Sequence, residues 1–280
     1  MSTSSGLIKF TDVSYTWPDP DSPAKPVFQA FTADIPAGFI SLTGLNGAGK
    51  STFMLLAGGR IMPSAGRIEL CGQNTRIWSG PGLTDEVEHA RNLVCSFLYQ
   101  NMEFEAGGDD SRVGTLLEFV YVNGGYRSKD ERFLKDVTAA FELDSLMSRK
   151  LDALSKGEIQ RVLLAFSALY GSQVIMMDEP VFAMEQRQKE KALEFFRDLH
   201  LKTGVSVLVS LHELSLTRKY ADTVMLFYPD RRIDLGTCDE VLTNEALEAA
   251  YGVPAAMLHD TEKLTRSAML EREKVLKGGV

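Results

Sequence analysis

Cysteine is scarce in this 280-residue chain: Cys71, Cys95 and Cys238 are few, odd in number and scattered. Their spacing suits neither a metal site nor a disulfide framework, so they read as reduced, partly buried thiols of a cytosolic protein. A basic excess is missing too. Thirty Lys and Arg stand against 38 Asp and Glu, a formal net charge of −8. That balance argues against a general nucleic-acid binder, and no nucleic-acid partner is expected. No apolar run approaches bilayer length; residues 205–211 make a strand-sized piece. The opening Met1–Gly6 has no basic region followed by an apolar stretch, so no signal peptide is expected. Internal repeats and long low-complexity segments are also lacking. What remains is ordinary globular composition, 44% hydrophobic and 24% charged, in a length that can bury a large core as one domain.

One stretch stands out against these absences. Gly44-Leu45-Asn46-Gly47-Ala48-Gly49-Lys50-Ser51-Thr52 fits the phosphate-loop pattern G-x-x-x-x-G-K-[ST] at every fixed position. Residues 38–43 before it read as a short buried strand, and 52–57 after it as the start of a helix. That strand–loop–helix context is what the pattern requires. Glycines let the backbone curl so that successive N–H groups point inward at phosphate oxygens. The helix behind adds its unpaired N-terminal N–H groups and the positive end of its dipole. In such a loop Lys50 reaches the β- and γ-phosphates and Ser51 holds Mg²⁺.

Around that loop the chain alternates between strand and helix patterns. Residues 7–15 and 27–35 read as strands, separated by a turn-rich loop at Pro18–Pro23. The phosphate-loop helix stops near Gly58-Gly59, and Arg67–Cys71 is another short strand. Residues 101–154 read as a mainly helical insertion. It has a polar loop at Glu105–Ser111 and helical spacing at Thr115–Tyr121 and Arg132–Phe141. Alternation resumes with a helix at 156–170, a strand at 173–177, a helix at 186–202 and a strand at 205–211. Strands alternating with helices predict an α/β fold with a largely parallel sheet. Residues 239–280 are charged and helix-prone, like a C-terminal extension.

Two further segments carry chemistry. Gln173–Pro180 is a buried strand ending in Asp178 and Glu179. A carboxylate at that place suits Mg²⁺, and its neighbour suits the polarisation of an attacking water; phosphoryl transfer needs both. Leu154-Ser155-Lys156-Gly157-Glu158 opens a helix whose apolar stripe runs through Ile159, Val162, Leu163, Phe166, Leu169 and Tyr170. Ser155 and Glu158 fit the S-x-x-E capping box, so the segment reads as a well-capped helix. It reads equally as an anion site, because a helix N-terminus with a serine hydroxyl and a glycine attracts phosphate.

In order, these motifs resemble the nucleotide-binding subunit of an ATP-binding cassette (ABC) transporter over about residues 7–240. The Gly44–Thr52 loop resembles Walker A, 174–179 resembles Walker B, and Leu154–Glu158 resembles the LSGGQ signature. Gln100 fits the Q-loop glutamine and His212 the switch histidine. Trp17 stands where the family places an aromatic residue against adenine, with Tyr15 the second choice. The resemblance implies a P-loop NTPase core at 1–100 and 155–240, a helical subdomain at 101–154 and a C-terminal helical extension at 241–280. It implies ATP and Mg²⁺ as cofactors. Lys50, Glu179 and His212 take catalytic roles, and Ser51, Gln100 and Asp178 serve the metal. Trp17, Gly44, Asn46, Gly47, Ala48, Gly49, Lys50, Ser51, Thr52, Gln100, Ser155, Gly157 and Glu158 bind nucleotide.

The same resemblance implies partners. Two cassettes, in a homodimer or heterodimer, sandwich two ATP molecules between Walker A of one and Ser155–Glu158 of the other. An integral-membrane permease meets the helical subdomain, which puts the chain in the cytoplasm, peripheral on the cytoplasmic face of the membrane. Residues 236–253 are similar to the tail of importer ATPases for iron-siderophore, haem, cobalamin or metal ions. The chain departs from the family at Lys156 and Glu158 in the signature, and at Glu185, where an aspartate is usual. Glu185 is expected to loosen coupling between the two sites modestly. The alternatives are a soluble ABC ATPase without a permease and, more weakly, a binding module with little turnover.

Overall fold

Residues 6–18, 26–78, 83–100, 102, 112–125, 131–182 and 184–258 are described by this computed structural model. The chain begins with two antiparallel strands, β1 (Ile8–Thr16) and β2 (Pro26–Ile35). Next come β3 (Phe39–Gly44), α1 (Lys50–Ala57), β4 (Ala65–Leu70) and β5 (Gln73–Asn74). Strands β2-β1-β4-β5 form a four-stranded antiparallel sheet. Within β1 the register shifts around Asp12, whose φ of 48° marks a bulge. The extra residue resets the alternation, so that Ile8 and Phe10 before it and Val13 and Tyr15 after it are all buried.

Beyond β5 the chain runs through α2 (Asp85–Val94), β6 (Cys95–Leu98), α3 (Val113–Asn123), α4 (Glu131–Ala140), α5 (Lys156–Leu169) and β7 (Val174–Met177). It continues with α6 (Gln186–Thr203), β8 (Ser206–Ser210), α7 (Leu214–Tyr220), β9 (Thr223–Phe227), β10 (Ile233–Gly236), α8 (Cys238–Val241) and α9 (Asn244–Tyr251). The second sheet has the order β10-β9-β3-β8-β7-β6, and every pair in it is parallel except β10 with β9. Residues of β3, β7 and β8 are buried at every position. A parallel strand covered on both faces has no need of alternation, which is why these three read as continuous apolar runs.

Three clusters hold the layers together. Between the two sheets, Phe10 stacks on Phe53 of α1 at 4.9 Å and Phe227 meets Phe53 edge-on at 5.7 Å. On the other face of the parallel sheet, Leu117, Val137 and Phe141 bring α3 and α4 onto Val162 and Leu163 of α5 and Phe196 of α6. The third cluster packs Val241 and Leu247 of α8 and α9 against Val224 and Leu226 of β9. The loops after β3, β7 and β8 leave the sheet at the carboxyl ends of parallel strands, where ligands bind in open α/β sheets.

The fold also holds elements that the sequence pattern left unread. Helix α2 buries only Arg91 and Val94 of its ten residues, so its apolar stripe is faint. The short β9 and β10 form a hairpin on the sheet's edge, and the antiparallel sheet stands apart from the parallel one. The expected loops at 18–23 and 105–111 and the end of the tail fall largely on residues 19–25, 103–111 and 259–280, outside the described residues. No helix among the described residues is long and apolar enough to cross a membrane.

Candidate functional site

Helix α1 starts directly after Gly49, whose φ of 112° lies in the left-handed region, and no side chain caps it. Its first N–H groups therefore open toward a cavity of about 460 Å³. Gly44 is required by the sheet. Strand β9 pairs beside it, and a Cβ there would stand 2.4 Å from the Phe227 carbonyl oxygen. Trp17, Asn46, Gly47, Gly49, Lys50, Ser51, Thr52, Gln100 and Glu179 line the cavity, all of them expected from the sequence. Ala48 is buried in the loop beneath. Lys50 Nζ donates to the carbonyl oxygens of Gly44 at 2.8 Å and Leu45 at 3.0 Å. Burial holds this ammonium below its ordinary pKa, and the carboxylates of Glu179 and Asp178 act against that shift.

The acids after β7 form the facing wall. Ser210, at the end of neighbouring β8, donates its hydroxyl to Asp178 Oδ1 at 2.6 Å and accepts the Glu179 backbone N–H at 2.7 Å. Glu179 has a φ of 51°, a left-handed conformation that costs a non-glycine residue about 1–3 kcal/mol. The Ser210 bond offsets part of that cost. Glu179 Oε2 accepts Gln100 Nε2 at 2.8 Å, and Oε1 lies 2.6 Å from His212 Nε2. Both oxygens are thus fixed by the two residues that the resemblance singled out from distant parts of the chain. His212 itself lies outside the main cavity. It lines a small adjoining one of about 30 Å³, next to Glu213, whose Oε1 accepts Lys189 Nζ of α6 at 2.5 Å.

At the opposite end, Trp17 is 44% exposed, and its Nε1 donates to Thr52 Oγ1 at 3.1 Å. Tyr15 meets Trp17 edge-on at 5.2 Å and is itself buried in the core. A half-exposed indole tethered to the first turn of α1 offers a flat face to a ring.

Ser155, Gly157 and Glu158 do not line this cavity. They form the N-terminus of α5, closed by a reciprocal capping box. Glu158 N donates to Ser155 Oγ at 3.4 Å, and Ser155 N to Glu158 Oε2 at 2.7 Å. Arg149 Nη1 pairs with Glu158 Oε1 at 2.7 Å, while its other amino group donates to the Ala153 carbonyl. The Ser155 backbone N–H, with Arg149 adding to it, holds the Glu158 carboxyl below its usual pKa. Glu185 is the exposed N-cap residue of α6 and makes no side-chain capping bond.

Such a cavity, with an uncapped helix N-terminus on one wall and a doubly held carboxylate on the other, suits a polyphosphate and an attacking water. The family profile described as ABC transporter matches residues 29–182. The chain belongs to the ABC transporter family. It is 31% identical over 223 residues to the hemin import ATP-binding protein HmuV of Pseudomonas entomophila, covering 78% of this chain and 83% of that protein. The phosphonates import ATP-binding protein PhnC 2 of a Nostoc species is 25% identical over 231 residues, covering 78% and 88%. Among solved structures, a dimeric bacterial ABC transporter cassette superposes with a TM-score of 0.68 at 21% identity, covering 82% of this chain and 98% of that one. As a member of the ABC family the chain is an ATP-binding and ATP-hydrolysing subunit.

Residues that sequence reasoning passed over also line or brace this cavity. Ser210 ties the two acids together. Val27 and Arg231 line the cavity, and Arg231 Nη1 donates to the Gly47 carbonyl at 2.6 Å. None of these belongs to a local motif. Only the adjacency of β8 to β7 and of β9 to β3 places Ser210 and Arg231 here.

Proposed function

We propose that this ABC subunit takes up Mg-ATP in the cavity between β3 and β7 and uses its hydrolysis to drive import through a membrane permease. The observation that carries this reading is the carboxylate of Glu179, held by Gln100 and His212 on the wall facing the phosphate loop. In this reading the loop N–H groups and Lys50 take the phosphates, and Trp17 stacks on adenine. Lys50 then exchanges the Gly44 and Leu45 carbonyls for phosphate oxygens. Glu179 accepts the proton of the attacking water, and His212 turns from Glu179 toward the γ-phosphate.

The residues at hand fit magnesium, a hard cation that takes oxygen ligands. Ser51 offers its hydroxyl in the cavity lining. Gln100 uses its Nε2 on Glu179, which leaves its amide oxygen, and Asp178 stands behind the lining with Oδ1 on Ser210. When bound, the ion neutralises charge on the transferring phosphoryl group.

Ser155, Gly157 and Glu158 lie away from their own chain's cavity, and in our reading they complete the site of a second cassette in a head-to-tail dimer. We divide the chain into a nucleotide-binding core at 1–100 and 155–240, a helical subdomain at 101–154 facing the permease, and an extension at 241–280. The curated relatives named for hemin and phosphonate import support an import direction. The cargo class we favour is an iron-siderophore, haem, cobalamin or metal complex. The test is co-purification: tag the Glu179→Gln variant, add Mg-ATP, solubilise membranes and identify what stays bound. A polytopic permease is expected; a soluble dimer with no membrane partner would overturn the transport role.

A further inference from the structure

The cavity's second cation comes from an unexpected direction. Strand β9 runs parallel to β3, and Gly44↔Phe227 is the last pair of their register. Both strands therefore end at the same edge, and the turn after β9 emerges beside the phosphate loop. That turn is firmly built. Tyr228 N donates to the Arg232 carbonyl, and Arg231 N to the Tyr228 carbonyl, each at 3.0 Å. The Arg232 guanidinium lies 3.7 Å over the Tyr228 ring, and Tyr228 Oη donates to Asp234 Oδ2 at 2.6 Å.

Arg231 occupies the bend with a φ of 75°, a left-handed conformation that is uncommon for a residue with a Cβ. Its side chain crosses to the phosphate loop. Nη1 donates to the Gly47 carbonyl at 2.6 Å and would lie 3.8 Å from a Cβ on Gly49. Arg231 and Lys50 are the two cationic side chains among the described residues lining the cavity. They share a habit: each rests on backbone carbonyls of the loop, Lys50 on Gly44 and Leu45 and Arg231 on Gly47. A guanidinium carries five N–H donors in a fork that matches phosphate oxygens two at a time. One bond to Gly47 leaves most of that fork available on the cavity side.

We propose that Arg231 is a nucleotide-binding residue that clasps the polyphosphate from outside the loop and makes the site selective for ATP over ligands with fewer phosphates. The inference rests on reading this cavity as the ATP site. Lys50 supplies a point charge from within the loop; Arg231 supplies a planar, paired contact from the hairpin. Because it sits on the rim and is exposed, its contribution is partly screened by salt and is expected to weaken as ionic strength rises.

The test compares Arg231→Ala and Arg231→Gln with the wild-type full chain, using ATP, ADP, AMP and adenosine as ligands. Binding is followed by calorimetry and by the fluorescence of Trp17, with the melting temperature of the free protein as a control. A clasp predicts about tenfold weaker ATP binding in both variants, a smaller loss for ADP, no change for adenosine and an unchanged melting temperature. Arg231→Lys should fall in between, since it keeps the charge and loses the fork. If Arg231 merely braces the loop through Gly47, the glutamine amide restores wild-type binding, and that result overturns the proposal. Wild-type affinity in both variants overturns it as well. If the wild type itself fails to bind ATP, the reading of the cavity falls, a failure distinct from that of the clasp.

Discussion

Helices α1 and α5 both begin at the glycine-bearing motifs singled out in the sequence, yet they are finished in opposite ways. α1 follows a left-handed glycine with no side-chain cap and no acid in its first turn. α5 is closed by Ser155 and Glu158, with Arg149 clamped on the carboxylate. An uncapped N-terminus leaves its N–H groups and positive dipole end for a ligand anion. A self-capped one has satisfied two of its N–H groups, those of Ser155 and Glu158, and set a carboxylate among the rest. The lesson is a division of labour within one polypeptide. The α1 end keeps its N–H groups for an anion. The α5 end carries its own negative charge at Glu158, and on its own should hold phosphate poorly.

The largest expected effect comes from the carboxylate facing α1. Glu179→Gln should lower kcat roughly 10²–10⁴-fold, the usual worth of a positioned general base, while leaving ATP binding near wild type. A steady-state ATPase assay beside a binding titration checks both halves; lost binding would show that Glu179 shapes the α1 half-site and not the water.

Next in size is Ser210→Ala, which leaves the buried Asp178 oxygen and the Glu179 N–H without their shared partner. About 1–3 kcal/mol of stability should disappear in a denaturant titration, with kcat down about tenfold. A variant as stable and active as wild type would mean that the strained Glu179 backbone holds itself.

On the α5 side the effects should be smaller. Ser155→Ala removes the cap and should cost about 1 kcal/mol in urea unfolding, with no effect on nucleotide affinity of the isolated chain. An affinity loss in monomers would erase the distinction between the two helix ends.

Smallest of all is Glu158→Gln, since glutamine also closes a capping box and the Arg149 pair is partly exposed. Less than about 1 kcal/mol is expected at neutral pH. The sign of its pH dependence follows from the lowered carboxyl pKa of Glu158. The wild type's advantage should be fully present above the ordinary glutamate pKa of about 4.3 and fade as pH falls through the lower folded value. Thermal melts of the pair from pH 7 downward would reveal it.

How much of this was legible in the chain depends on locality. The phosphate loop is contiguous, and its glycines, lysine and helix could be read directly from spacing. The capping box of α5 is equally local and appears in the structure as read. Gln100 and His212 became visible only through the order of motifs. Their meeting on Glu179 spans 79 residues for Gln100, a contact that no periodicity encodes. Ser210 and Arg231 gave no signal at all: their bonds cross 31 and 184 residues and exist because particular strands are neighbours. The separate antiparallel sheet escaped notice for a related reason. The bulge at Asp12 resets the alternation of β1, and strand pairing is a property of the sheet, not of one strand.

The central claim is that the open α1 half-site and the finished α5 half-site belong to one ATP site only when two cassettes meet. Light scattering of the Glu179→Gln variant, with and without Mg-ATP, tests it most directly. The account predicts monomers without nucleotide, a stable dimer with Mg-ATP, and a return to monomer when Ser155→Ala and Gly157→Asp are added to break the α5 face. Monomers under every condition, with ATP demonstrably bound, would contradict it.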